Sequence, residues 1–144
     1  MERILTYPAK IHEIPQIRKN LTELGGEWAI PKSEMRQILL IVEELFSNIV
    51  RFAYEDKLEH QIKIGITNEQ TNIVIRFSDD GIPFNPIDYE PGGRPDPVTS
   101  EDGGMGLTLV KTFSDSMVYN RINGTNQLEV IKMLKSNQDS KIAG

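Results

Sequence analysis

The stretch EELFSNIVRFAY, residues 43–54, decides how the chain is read. It closes the clearest helical segment, from Pro31 to about Tyr54. There Met35, Ile38, Leu39, Val42, Leu45, Phe46, Ile49 and Ala53 recur at helical spacing and form one apolar stripe. Glu44, Asn48 and Arg51 stand at i, i+4 and i+7, so at ~100° per residue they fall within about 60° of one another. They lie nearly opposite the Met35–Val42–Ile49 stripe. That face offers a carboxylate that can take a proton from an attacking hydroxyl. It also offers an amide oxygen suited to a hard cation such as Mg²⁺, and a guanidinium suited to a phosphate. On spacing alone, a solvated face with a Glu–Arg pair fits the pattern better. Leu40 and Ile41 on the same side count against that reading, and Glu43 points about 100° away as a surface charge.

Two more motifs follow in order. SDDGIPFNP (residues 78–86) places Asp79 at the end of an apolar strand, before Asp80-Gly81-Ile82-Pro83. A carboxylate there can accept a hydrogen bond from the exocyclic amine of a base, and Gly81 lets a flat ring approach the backbone. An ordinary Asp-Gly turn explains the same residues. DGGMGLTLVKTFSD (residues 102–115) runs from glycines into a helix. Free N–H groups and the positive dipole end at a helix start suit phosphate, although a glycine cluster alone is weak evidence. Gly124-Thr125 opens the last strand; the Thr125 hydroxyl joins Asp79 around a base, or is simply the end of a hairpin turn.

Around these motifs the pattern predicts a strand over Arg3–Ala9 and a helix from about Ile14 to Leu24, stopped by Gly25-Gly26. A hairpin of Gln61–Asn68 and Thr71–Ser78 comes next. Asn85–Asp102, with Pro86, Pro91, Gly92, Gly93, Pro95 and Pro97, is a long loop of the kind used as a lid. A helix is expected from Gly106 to about Phe113, then a second hairpin of Ser116–Arg121 and Gln127–Lys135 around Asn123-Gly124. Antiparallel strands with helices on one face make an α+β two-layer sandwich. Residues 1–135 are expected to form a single domain with the lid at about 85–102, and 136–144 a polar C-terminal tail.

The bulk numbers exclude several classes. A chain of 144 residues fits one core. Its net charge of −5 disfavours a nucleic-acid or anionic-membrane partner. No apolar run approaches the roughly 20 residues of a membrane span, and no signal-peptide pattern opens the chain. Absence of cysteine removes disulfides, thiolate metal sites and cysteine nucleophiles, and a reducing cytoplasm is the simplest setting. His12 and His60 lack metal spacing and read as surface or core-edge residues. Trp28 reads as core or interface filling, and Lys111 as surface.

Taken together, the motifs resemble those of the bacterial anti-sigma-factor serine-protein kinases, a small-domain branch of the GHKL (Bergerat-type, histidine-kinase-like) ATPase superfamily. The resemblance runs from the first strand to the Gly124-Thr125 strand. EELFSNIVRFAY is similar to the family's N box, which implies Glu44 as general base, Asn48 as Mg²⁺ ligand and Arg51 as the basic residue that follows. SDDGIPFNP is similar to the first glycine box, which implies that Asp79 and Gly81 bind adenine. Gly104, Gly106 and Leu107 fall in the second glycine box, at the phosphates, and Thr125 matches the threonine completing the adenine site. The resemblance implies ATP or ADP with Mg²⁺, and a homodimer that sequesters a sigma factor. In another state it holds a STAS-domain anti-anti-sigma partner and phosphorylates a serine on it. Two positions depart from the pattern. Phe52 stands where stress-response members often carry histidine. Asp102 stands where sporulation-type kinases carry an arginine for the terminal phosphate; Arg94 or Arg51 could substitute. A nucleotide-gated binding module without phosphotransfer, and a detached histidine-kinase catalytic domain, are the alternatives.

Overall fold

The computed structural model describes residues 1–88 and 104–134. Most of the expected lid, including Arg94 and Asp102, and the tail at 136–144 lie outside those residues.

Five strands form one fully antiparallel sheet: β1 (Glu2–Pro8), β2 (Gln61–Asn68), β3 (Asn72–Asp79), β4 (Ser116–Ile122) and β5 (Thr125–Met133), in the order β1-β2-β3-β5-β4. The helices are α1 (Ile14–Glu27), α2 (Lys32–Phe52) and α3 (Gly104–Phe113). Alternation puts Ile62, Ile64 and Ile66 of β2, Ile73, Ile75 and Phe77 of β3, and Leu128 and Val130 of β5 on one buried face. The helices cover that face. Ile17 and Leu21 enter from α1, Ile38, Val42, Leu45, Phe46 and Ile49 from α2, and Leu107 and Val110 from α3. Full burial of one such side chain contributes about 1.5–3 kcal/mol. An exposed pair such as Arg3–Glu27, at 3.1 Å, belongs to a class worth about 0–1 kcal/mol. The apolar face therefore holds the layers together. The α+β sandwich expected from the pattern is the observed architecture.

The differences lie at element ends. Gly25 and Gly26 do not stop α1; both are helical, and Gly25 is buried against Met35 of α2, where a side chain would meet the Met35 thioether. The stop is a Schellman motif one turn later. Ala29 is left-handed (φ 54°), its N–H donates to Gly26 O at 3.2 Å, and Ile30 N–H donates to Gly25 O at 2.9 Å. β5 starts at Thr125 rather than Gln127, because Asn123 and Gly124 (φ 50° and 77°) close a two-residue turn. α3 starts at Gly104, one half-turn before the expected Gly106.

Left-handed geometry costs an L-residue about 1–2 kcal/mol, and glycine's extra unfolded-state entropy returns about 0.4–1 kcal/mol of that. Ala29→Gly is therefore expected to stabilise the fold by about 0.5–1 kcal/mol. A higher urea midpoint at unchanged m-value checks it; a lower midpoint contradicts the capping account.

Candidate functional site

The polar face of α2 is not a solvated one. Ile41 on that side is fully buried and Asn48 is 1% exposed. Half-buried Glu44 rests against α3, so closely that a Cβ on Gly106 would overlap its carboxylate. Arg51, further along, is exposed. The three residues thus run from a closed cleft to open solvent. Asn48 Nδ2 donates to Glu44 O at 2.7 Å, and Asn48 Oδ1 is buried with no hydrogen-bond partner. A buried unmade acceptor costs about 1–3 kcal/mol, and a cation would relieve it. Among the described residues no three His, Cys, Asp or Glu side chains cluster to hold a metal. A Mg²⁺ here would need Asn48 plus phosphate and water oxygens, its usual manner of binding. The orphaned oxygen fits that requirement.

Gly104, Gly106 and Leu107 supply N–H groups from the first turn of α3, which the helix itself does not use. The Leu107 side chain is not free for a ligand, being 3% exposed in the core; only its backbone can serve. Burial pushes the Glu44 carboxyl above its ordinary pKa, Arg51 partly opposes this, and Glu43 adds to it. That direction suits a proton acceptor.

At the far end of α2, a Cβ on Gly81 would overlap the Ala53 carbonyl and lie 2.7 Å from Ala53 Cβ. Ile82 N–H donates to that same carbonyl at 2.7 Å. The turn after β3 is thereby pressed onto the helix, and glycine is the residue that permits it. Asp79 is 5% exposed. Its Oδ1 accepts from Gly81 N–H and from Asn126 Nδ2, each at 2.9 Å. Burial raises the Asp79 pKa, and those two donors oppose the rise.

Thr125 stands beside this group, with its side chain on the other face of the strand. Asp79 lies opposite Asn126 in the β3–β5 register, and alternation sends Asn126 to the helix-covered face and Thr125 to the other. Thr125 borders a hollow of about 200 Å³ together with Asp79, Asp80, Lys63 and Ser78. Arg121, which no sequence motif marks, joins the same network. It donates to Gly81 O at 2.7 Å and to Asn126 Oδ1 at 3.1 Å.

His60 sits half-buried at the core edge and has partners. Its ring stacks on Tyr54 at 4.2 Å, with Nε2 2.7 Å from Asp56 and Nδ1 3.1 Å from Asp80. The bridge ties the α2–β2 loop to the turn beside Asp79. Burial, with Asp79 and Asp80 nearby, raises the Tyr54 phenol, whose OH is buried without a partner.

A five-stranded antiparallel sheet under three helices, with an N-box helix facing a glycine-rich helix entry and an acidic strand end, defines a GHKL-type sandwich. The chain belongs to the histidine kinase-like ATPase domain family, whose model matches residues 7–132. No curated relative matches it in sequence. Among solved structures, it is similar to the RsbU and RsbW domains of Rv1364c from Mycobacterium tuberculosis. The TM-score is 0.64 at 15% identity, over 93% of this chain and 32% of that one. It is also similar to the blue-light activated histidine kinase EL346 of Erythrobacter litoralis (TM-score 0.57, 15% identity, 76% and 33% covered). The histidine kinase domain of that protein matches as well (TM-score 0.55, 18% identity, 94% and 65% covered). At such identities the likeness is one of fold. The chain spans about a third of the length of the first two.

The His60 bridge carries a pH signature. With a carboxylate at each nitrogen, the doubly protonated ring is the form that donates to both. Asp56, first, and Asp80 raise the His60 pKa, while His60 lowers that of Asp56. The His60 contribution is complete below its ordinary value and lost as pH rises through the raised one. The Asp56 contribution is present above its ordinary value and lost as pH falls through the depressed one. Amide protection in the 53–61 loop, taken relative to the intrinsic exchange rate at each pH, is expected to be greatest between those limits. His60→Gln should flatten the profile on the alkaline side, and an unchanged profile would contradict the bridge.

Proposed function

We propose that the chain binds ATP and ADP and acts as a regulatory serine-protein kinase of the anti-sigma type. The orphaned Asn48 oxygen, one turn along α2 from Glu44, whose carboxylate packs on Gly106 at the start of α3, is the observation that supports this most directly. In this reading residues 1–135 are one nucleotide-binding unit. Asp79 accepts from the base amine, with Gly81 keeping the floor of the base site free of a side chain. Gly104, Gly106 and the Leu107 N–H receive the phosphates, and Arg51 lies at the exposed end of the cleft. Asn48 would hold Mg²⁺. Bound Mg²⁺–ATP would supply the transferable phosphoryl group and the counter-charge its transfer needs. Glu44, its basicity raised by burial, takes the proton from the attacking serine hydroxyl. The acceptor would be a serine on a STAS-domain anti-anti-sigma protein. The other nucleotide state would hold a sigma factor, with the chain as a homodimer in the cytoplasm. Among the described residues no helix is long and apolar enough to cross a membrane.

A second reading keeps nucleotide binding and drops transfer. Asp102, directly before the second glycine box, favours it, because a carboxylate there would repel the terminal phosphate.

Titration calorimetry with ATP and ADP, with and without Mg²⁺, tests the common part. Wild type is expected to bind both, with ATP strengthened by Mg²⁺, and Asp79→Asn is expected to bind neither. Absence of binding in wild type sinks the nucleotide reading. Incubation with ATP and a STAS partner is expected to yield acid-stable phosphoserine. Glu44→Ala should abolish that product while leaving ATP binding within a few-fold. An acid-labile product would indicate histidine phosphorylation, and no product beside intact ATP binding would favour the second reading. Loss of ATP binding in Glu44→Ala would make Glu44 structural.

A further inference from the structure

Asn126 is a hub that its sequence neighbours do not announce. It is 3% exposed. Its Oδ1 accepts from Tyr119 OH, from Arg121 at 3.1 Å and from Phe84 N–H at 3.3 Å. Its Nδ2 donates to Asp79 Oδ1 at 2.9 Å and to Ile82 O at 2.7 Å. Guanidinium and backbone N–H only donate; carboxylate and carbonyl only accept. The amide therefore has a single orientation, and cannot flip without breaking four of these bonds.

The consequence falls on Asp79. Asn126 and Gly81 fill both acceptor positions of Oδ1. Asp79 Oδ2 accepts from none of the described residues. Guanine presents two adjacent donors, N1–H and the 2-amino group, and a carboxylate takes such a pair with both oxygens. Adenine presents one donor group, the 6-amine. We propose that Asn126, held by Arg121 and Tyr119, is a specificity-determining positioning residue: it occupies Asp79 Oδ1, so that one oxygen remains to read the base and adenine nucleotides are chosen over guanine nucleotides. The inference rests on the nucleotide reading above. The charged groups around the pair are Asp80 and Arg121, with the Tyr54 phenol nearby.

Calorimetric titration of the full chain with ADP and with GDP tests this. Wild type is expected to prefer ADP by at least about a hundredfold, the order that one mismatched polar edge commands in a buried site. Asn126→Ala is expected to weaken ADP on the order of tenfold, the size of one hydrogen bond to a charged group. GDP binding should stay unchanged or strengthen, so that the ADP:GDP ratio drops at least that much. A purely structural role would lower both affinities together and preserve the ratio, which would overturn the inference. Wild type binding ADP and GDP alike would overturn it too, yet leave nucleotide binding standing. Wild type binding neither would remove both. Should Asn126→Ala not fold, Tyr119→Phe, at the sheet edge, takes its place. Losing one donor to Asn126 Oδ1 is expected to cut the ratio a few-fold, and an unchanged ratio counts against the proposal.

Discussion

Burial of α2 on almost every side is the constraint from which the rest follows. One side of this helix meets the sheet through Val42, Leu45, Phe46 and Ile49. The flank beside that face is covered as well, at Ile41 and Asn48. A polar group placed there must find a partner or bear an unmet hydrogen bond at about 1–3 kcal/mol. Asn48 half-solves this by donating to Glu44 O, and leaves its oxygen unmet. No single bond in a domain held by roughly 5–15 kcal/mol is negligible, so an unmet buried acceptor points to a ligand more than to a packing accident.

The two glycine-rich segments then acquire a common meaning. Gly106 lies against Glu44 and Gly81 against Ala53, so each brings backbone onto α2 where a methyl group would not fit. Glu44 and Ala53 are nine residues apart on and just past one helix, about 14 Å at 1.5 Å per residue. α2 thus sets the distance between a phosphate-suited helix start and a base-suited carboxylate. Neither glycine needs a positive φ at its position; close approach alone accounts for both.

Most of this was legible because period and punctuation agree. The 3.6-residue stripe of α2, the alternation of Ile62, Ile64 and Ile66, and the Asn123-Gly124 turn each left one choice. What escaped was set by partners distant in sequence. Gly25-Gly26 read as a stop, but Met35 packing over Gly25 rewards the helical form, and the chain turns at Ala29, which has no local signature. His60 looked solitary because Asp80, twenty residues on, meets it only once the β2–β3 hairpin forms, although Asp56 is a local partner four residues before it. Parity sets Thr125 on the strand face opposite to Asn126. Leu128 and Val130 mark the buried face of β5, and counting back by two from Leu128 reaches Asn126, not Thr125. That alternation is present in the sequence alone.

Parity also explains why the acidic strand end needs so large a network. Asp79 continues the series Ile73, Ile75, Phe77 onto the covered face, so its carboxylate enters an apolar layer. Burial alone would favour its protonated form, which presents one acceptor fewer. Two neutral donors, Gly81 N–H and Asn126 Nδ2, oppose that without placing a cation on the carboxylate. Arg121 acts one step removed, through Gly81 O and Asn126 Oδ1. A cation placed directly on Asp79 would hold it ionised more strongly, and would also occupy the acceptor that a base amine requires. Support through a neutral amide keeps the charge available and the oxygen unoccupied.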